Sequence, residues 1–213
     1  MKYPEDFINK VICGDCLEVM KGMPDKSVDL VLTDPPYGLK GEEPIEITEK
    51  ALKLAFKKSK LLAVFMDWRN GHRIDSLFEK EKVGELIWEN GWISGGRSKA
   101  RHGVIPTHNT ISLFGDKTKF HFIKGTIIKR QPGFSSPRQC SYAKKTGHPY
   151  EKPVNLIKYL LENIDCKSVL DPFAGSGTTG VACKKTGRNY ILIEKEEKYC
   201  KIAKQRLRQE ILF

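Results

Sequence analysis

Short apolar runs alternate with amphipathic stretches along most of this chain, and one run after another ends on a carboxylate. Lys10–Cys13 leads to Gly14-Asp15, while Ser27–Asp34 and Leu61–Asp67 each close on an aspartate. Near the other end, "KSVLD" closes on Asp171 and "NYILIEK" reaches Glu194. Apolar runs without polar alternation fit strands buried on both faces, which helices must cover. The intervening stretches supply that cover. Helical spacing runs over Cys16–Lys21, over Ile47–Ser59 (Ile47, Ala51, Leu52, Leu54, Ala55 and Phe56), and over Arg73–Lys80. It returns from Pro153 onward, through "GSGTTGVACKKTG" to the stop at Gly187, and again over Glu196–Leu212. Strand alternating with helix predicts an α/β class: a Rossmann-like, mainly parallel sheet with helices on both faces. "ELIWEN" and "TISLFG" are expected to pair with each other as an edge of that sheet.

The pattern lapses between Gly91 and Gly147, where Gly, Ser, Pro and Lys dominate. The charge of +11 concentrates there: Arg97–Lys145 holds eleven Lys/Arg and one acid, Asp116. A basic block in an otherwise neutral scaffold predicts a polyanionic partner, nucleic acid foremost. Residues 1–213 therefore read as one domain carrying an inserted basic module over approximately 92–147, with "TISLFG" returned to the sheet. No apolar run approaches the roughly 20 residues that span a bilayer, and "MKYPEDFINK" lacks a signal-peptide core. The expected location is the cytoplasm, away from membranes.

Two motifs carry the chemistry. In "LVLTDPPYG", a core strand presents Asp34 and then a stiff Pro35-Pro36 pair, which cannot turn directly into a helix, followed by Tyr37. In "VLDPFAGSGTTG", Gly175, Gly177 and Gly180 match a dinucleotide fingerprint, and Glu194 lies where a ribose-binding acid is expected. That chemistry suits any adenosine cofactor. Asp171 at the strand end would repel a pyrophosphate but attract an ammonium, and no lysine follows the second glycine as a triphosphate loop requires. An adenosine cofactor with a positive centre and no phosphates fits better, and S-adenosylmethionine is such a molecule.

With "HPYEKP" (His148 to Pro153) added, the residues resemble the DNA amino-methyltransferases, which methylate N6 of adenine or N4 of cytosine. Catalytic motif first, cofactor motif last and a basic module between is the order of the family's circularly permuted β group. The resemblance implies that Asp34, Pro35, Pro36 and Tyr37 are catalytic. Asp34 and the Pro35 carbonyl would hold the target amine, and Tyr37 would stack on a flipped-out base. Asp171, Phe173, Gly175, Ser176 and Gly177 would surround the methionine end of the cofactor. Thr178 and Lys152 would face its carboxylate, Glu194 its ribose, and Asp15 and Cys16 its adenine. Lys152 reads almost as well as a solvated lysine at a helix start, and Tyr150 stands where the family often has Thr. In the basic module, Arg97, Lys99, Arg101, Lys129, Arg130 and Arg138 would contact DNA. The implied partner is double-stranded DNA, in a bacterial or phage setting near the nucleoid, with room for a homodimer and a cognate restriction endonuclease.

The first residue of "DPPY" favours adenine, since the cytosine-N4 enzymes more often carry Ser there. C5-cytosine chemistry needs a Pro-Cys nucleophile, which this sequence lacks. A non-catalytic DNA-binding relative and an RNA- or protein-modifying one remain as rivals. Cys13 and Cys16 have CxxC spacing, but no second pair completes a zinc site, so no metal is expected.

Overall fold

The computed structural model describes residues 1–38, 42–67, 69, 71–89, 108–122, 125–129 and 151–209. The strands are β1 (Lys10–Cys13), β2 (Val28–Thr33), β3 (Ser59–Met66), β4 (Lys82–Glu89), β5 (His108–Phe114), β6 (Ile127–Ile128), β7 (Ser168–Asp171) and β8 (Asn189–Glu194). They form one sheet in the order β1-β8-β7-β2-β3-β5-β4-β6. From β1 to β3 every pairing is parallel; β5 runs antiparallel to both β3 and β4, and β6 lies parallel to β4.

The helices are α1 (Cys16–Lys21), α2 (Ile45–Lys58), α3 (Gly71–Leu77), α4 (Val154–Glu162), α5 (Thr178–Lys185) and α6 (Glu197–Gln209). Successive strand residues face opposite sides of a sheet, and the core divides accordingly. Leu30 and Leu32 pack with Leu156, Leu160, Val181 and Leu207, from α4, α5 and α6. Their neighbour Val31 packs on the other face with Met20, Ala51, Leu52, Ala55 and Ile74, from α1, α2 and α3. Both faces of the central strands are therefore dry, as their unbroken apolar sequences require.

Local chemistry sets the ends of these elements. Asp15 caps α1, its carboxylate accepting from the Leu17 and Glu18 N–H groups at 2.8 and 3.3 Å. Gly187, at φ +68°, takes the left-handed turn after α5. The helix expected over Arg73–Lys80 occurs as α3 followed by a 3-10 turn at Glu79–Glu81. The "ELIWEN" and "TISLFG" strands pair as expected, but two-residue β6 takes the edge beyond them. Residues 108–122 and 125–129 of the expected insertion thus lie in or beside the sheet, and the rest of 92–147 lies outside the described residues. Among the described residues no helix is long and apolar enough to cross a membrane.

Candidate active site

Chain order reverses between β7 and β2: β2 leads outward through α2 to β3, and β7 leads the other way through α5 to β8. Since α2 and α5 cover opposite faces, a crevice opens at the carboxyl ends of β7 and β2, where open α/β sheets bind ligands. A cavity of about 740 Å³ occupies it, within the roughly 300–1,000 Å³ typical of small-molecule sites.

On the β7 side, Asp171 is only 4 % exposed. Its carboxylate accepts from the Thr33 hydroxyl at 2.7 Å, the Thr179 hydroxyl at 2.5 Å and the Phe173 N–H at 3.2 Å. This ties the end of β2, one residue before Asp34, to the start of α5. The following turn is held by Glu194, which accepts from the Gly175 N–H at 2.7 Å and the Glu196 N–H at 2.8 Å. Gly175 and Gly177 have φ of +51° and +81°, left-handed values that a side chain would oppose. Gly180 meets Leu192 so closely that a Cβ would lie 2.6 Å from Leu192 Cδ1, so α5 sits directly on β8.

On the β2 side the turn is clamped from three directions. The Thr48 hydroxyl of α2 donates to the Pro36 carbonyl at 2.8 Å, and the Tyr37 N–H donates to Glu42 at 2.7 Å. The Tyr37 hydroxyl lies 2.7 Å from both Asp34 Oδ1 and the Phe65 carbonyl, either of which can accept its single proton. Burial first, and then the Asp34 charge, hold the Tyr37 phenol well above its ordinary pKa, so it stays a donor. The other Asp34 oxygen pairs with the Lys152 ammonium, which also sits 5.1 Å from the centre of the Phe65 ring. The cavity thus joins a glycine turn with a strand-end acid suited to ribose hydroxyls and a rigid carboxylate–proline turn.

The profile of the N6/N4 DNA methylase family matches residues 28–205, which include both motifs and the Lys152 turn. The chain belongs to the DNA methylase family. The methylase is 30 % identical to the Type II methyltransferase M2.DpnII of Streptococcus pneumoniae, over 95 % of this chain and 91 % of that protein. Among solved structures, the M1.HpyAVI–SAM complex superimposes with a TM-score of 0.70 at 27 % identity, over 93 % of this chain and 98 % of that one. The cytosine-N4-specific PvuII DNA methyltransferase, at 22 % identity, TM-score 0.66 and coverage of 92 % and 85 %, shares the fold. The methylase is an S-adenosylmethionine-dependent enzyme acting on DNA. Its residues fit that cofactor: Glu194 stands beside the Gly175 backbone, and the loop has no phosphate-binding lysine.

The cavity brings Asp34, Pro35, Pro36 and Tyr37 together with Asp15, Cys16, Lys152, Asp171, Phe173, Gly175, Ser176, Thr178 and Glu194. Gly177 is not in the lining; it faces Ala203 of α6 instead. Several expected cofactor ligands have protein partners, Asp15, Asp171 and Glu194 among them. Lys152 is on Asp34, and the Thr178 hydroxyl accepts from Arg206 at 3.2 Å. Burial, and then Asp15, push the Cys16 thiol up to about 11, so it presents neither a ready nucleophile nor a ready metal ligand. Among the described residues no His/Cys/Asp/Glu group could hold a metal ion. Lys129 is exposed beside β6, while Arg97, Lys99, Arg101, Arg130 and Arg138 lie outside the described residues. Trp88 and His108 line the cavity, Thr33, Thr48 and Arg206 brace its two turns and Glu151 pairs with Arg206, and sequence reasoning missed all six. Only Glu151 carried a signal, through its place in "EKP".

Burial raises the Asp171 carboxyl to about 6 despite its hydroxyl donors. A buried acid whose folded pKa exceeds its unfolded value binds its proton more tightly when folded. Its contribution to stability is therefore lost as pH rises from about 4 through 6. Relative to an Asp171→Asn variant, the methylase should lose about 2 kcal/mol between pH 4.5 and 7.5. Urea denaturation of both proteins at the two pH values measures this difference, and an unchanged difference would place Asp171 in a wetter setting.

Proposed function

We propose that the methylase transfers a methyl group from S-adenosylmethionine to N6 of adenine in double-stranded DNA. The observation that carries this reading is the Asp34-Pro35-Pro36-Tyr37 turn, fixed at the rim of the same cavity as the Glu194-anchored glycine turn. Bound S-adenosylmethionine supplies a methyl group on a positively charged sulfur. The chain's own residues handle the acceptor. An exocyclic amine is a poor nucleophile because its lone pair is delocalised into the base. Hydrogen bonds from its two N–H groups to Asp34 and to the Pro35 carbonyl move the nitrogen toward tetrahedral geometry and free that pair. The Asp34 charge then stabilises the positive charge that develops on the nitrogen, and the extra proton leaves the nitrogen once the methyl–sulfur bond has broken. The carboxylate has enough lone pairs to accept from the amine while retaining Tyr37 and Lys152.

Tyr37 is half-buried in the cavity wall and anchored at its hydroxyl, so little side-chain freedom is left to lose when a base stacks there. Such stacking offsets the few kcal/mol of unpairing a base. Glu194 would accept from the ribose hydroxyls with the lone pairs its two backbone donors leave. The basic stretch with Arg97, Lys99, Arg101, Lys129, Arg130 and Arg138 would hold the phosphates and select the target sequence. The relative's Type II designation supports a role opposite a cognate endonuclease.

Adenine is favoured by Asp at the first motif position. Incubation with methyl-labelled cofactor and unmodified duplex DNA, followed by nucleoside analysis, tests the assignment. The label is expected in N6-methyldeoxyadenosine. Label in N4-methyldeoxycytidine would move the substrate to cytosine, and label only in added RNA would overturn the DNA assignment.

A further inference from the structure

Outside both motifs, the guanidinium of Arg206 on α6 reaches beneath the glycine turn. Its Nη1 donates to the Ser176 carbonyl at 2.9 Å, the Ser176 hydroxyl at 2.9 Å and the Thr178 hydroxyl at 3.2 Å. Its Nη2 pairs with Glu151 at 2.8 Å, and these side chains are only 17 % and 8 % exposed. The Glu151 contact uses Nη2 and the turn contacts use Nη1, so Arg206 holds the two through different nitrogens.

Glu151 is followed at once by Lys152, whose ammonium pairs with Asp34. Pro153 comes next and caps α4. A residue before proline is confined to extended backbone, and neighbouring side chains on extended backbone point to opposite sides. The Glu151-Lys152 step can therefore send one side chain toward Arg206 and the next toward Asp34. From Ser176 and Thr178 the contacts run through Arg206 and Glu151, across one residue of main chain to Lys152, and on to Asp34.

We propose that Glu151 and Arg206 are positioning residues that lock the catalytic carboxylate to the cofactor turn, so that the turn receiving the methyl donor also fixes Lys152 on Asp34. This rests on the reading of Asp34 as the amine acceptor. It gives Lys152 a purpose other than holding the cofactor's carboxylate.

The test separates turnover from cofactor binding in the full chain. In Glu151→Gln, Arg206 keeps its contacts to Ser176 and Thr178, so the cofactor Kd from calorimetry should change by less than about threefold. With Lys152 no longer anchored, kcat on saturating duplex DNA should fall about tenfold or more. Glu151→Asp, which keeps the charge, should recover part of that loss. Arg206→Met should weaken cofactor binding and turnover together. Melting temperatures and active-site titration restrict the comparison to folded enzyme. A Glu151→Gln protein with wild-type kcat would overturn the proposal, as would one whose Kd and kcat worsen in proportion. If Asp34→Ala turns over normally, the underlying reading of Asp34 fails instead, whatever Glu151 does.

Discussion

Asp34→Ala should lower the rate of methyl transfer by more than about a hundredfold, the usual scale for removing a preorganised group at a developing charge. Cofactor binding should survive. Asp34 touches Tyr37 and Lys152, while the glycine turn keeps its own contacts to Glu194, Arg206 and Asp171 when the Asp34 side chain is removed. The substitution leaves the Lys152 ammonium without that carboxylate, and the carboxylate of a bound cofactor could take its place, so the cofactor Kd should stay level or tighten. Asp34→Asn keeps one acceptor oxygen of the same reach but loses the charge, so it should fall between wild type and alanine. Single-turnover rates with labelled cofactor, set beside calorimetry, measure both quantities. Wild-type turnover in the alanine variant would remove Asp34 from the chemistry.

Why this side chain was legible in the sequence, and the contacts that brace its surroundings were not, follows from what a pattern can carry. An apolar run ending on a carboxylate fixes both the strand and the end where the acid emerges. Asp34, Asp171 and Glu194 could be placed at one rim for that reason. The parallel pairing of β2 with β7 then brings Asp34 and Asp171 together. The strand Ile127–Ile128 had no such signal. Two residues between Gly125 and Lys129 show no periodicity, and pairing with β4 alone makes them a strand. Arg206 reads as one more cation on an amphipathic helix rich in them. Its burial comes from the glycine turn lying beneath α6, a distance of thirty residues along the chain. Lys152 was recognisable as a cavity residue, but its pairing with Asp34 depends on where α4 begins.

The glycine signature conveyed composition and not orientation. Gly175, Gly177 and Gly180 are equivalent letters in the motif, yet Gly175 contacts Glu194 in the cavity wall while the other two face protein. Gly180 lets α5 approach β8, and Gly177 lets the turn approach α6. The second of these has a measurable consequence.

Gly177→Ala should be among the most damaging single-methyl additions in the fold. The residue has φ +81°, where a side chain costs about 1–2 kcal/mol. Its new Cβ would also lie 2.7 Å from Ala203 Cβ and 3.1 Å from Ala203 Cα, atoms that no rotamer change can move. Overpacking of that kind adds about 1–3 kcal/mol, so the total is about 2–5 kcal/mol against a typical domain stability of about 5–15 kcal/mol. The neighbours Ser176 and Thr178 are the two residues Arg206 grips, so the cofactor turn must shift with the damage and calorimetric binding should be lost. Pairing it with Ala203→Gly separates the causes. The double variant removes the Cβ–Cβ clash but keeps the left-handed backbone, and it adds a helix glycine costing about 0.5–1 kcal/mol. It should therefore regain only part of the stability in urea denaturation. Full recovery would mean that the contact with α6, and not the backbone, is what requires glycine. A Gly177→Ala protein as stable as wild type would show that the turn does not approach α6 as closely as described.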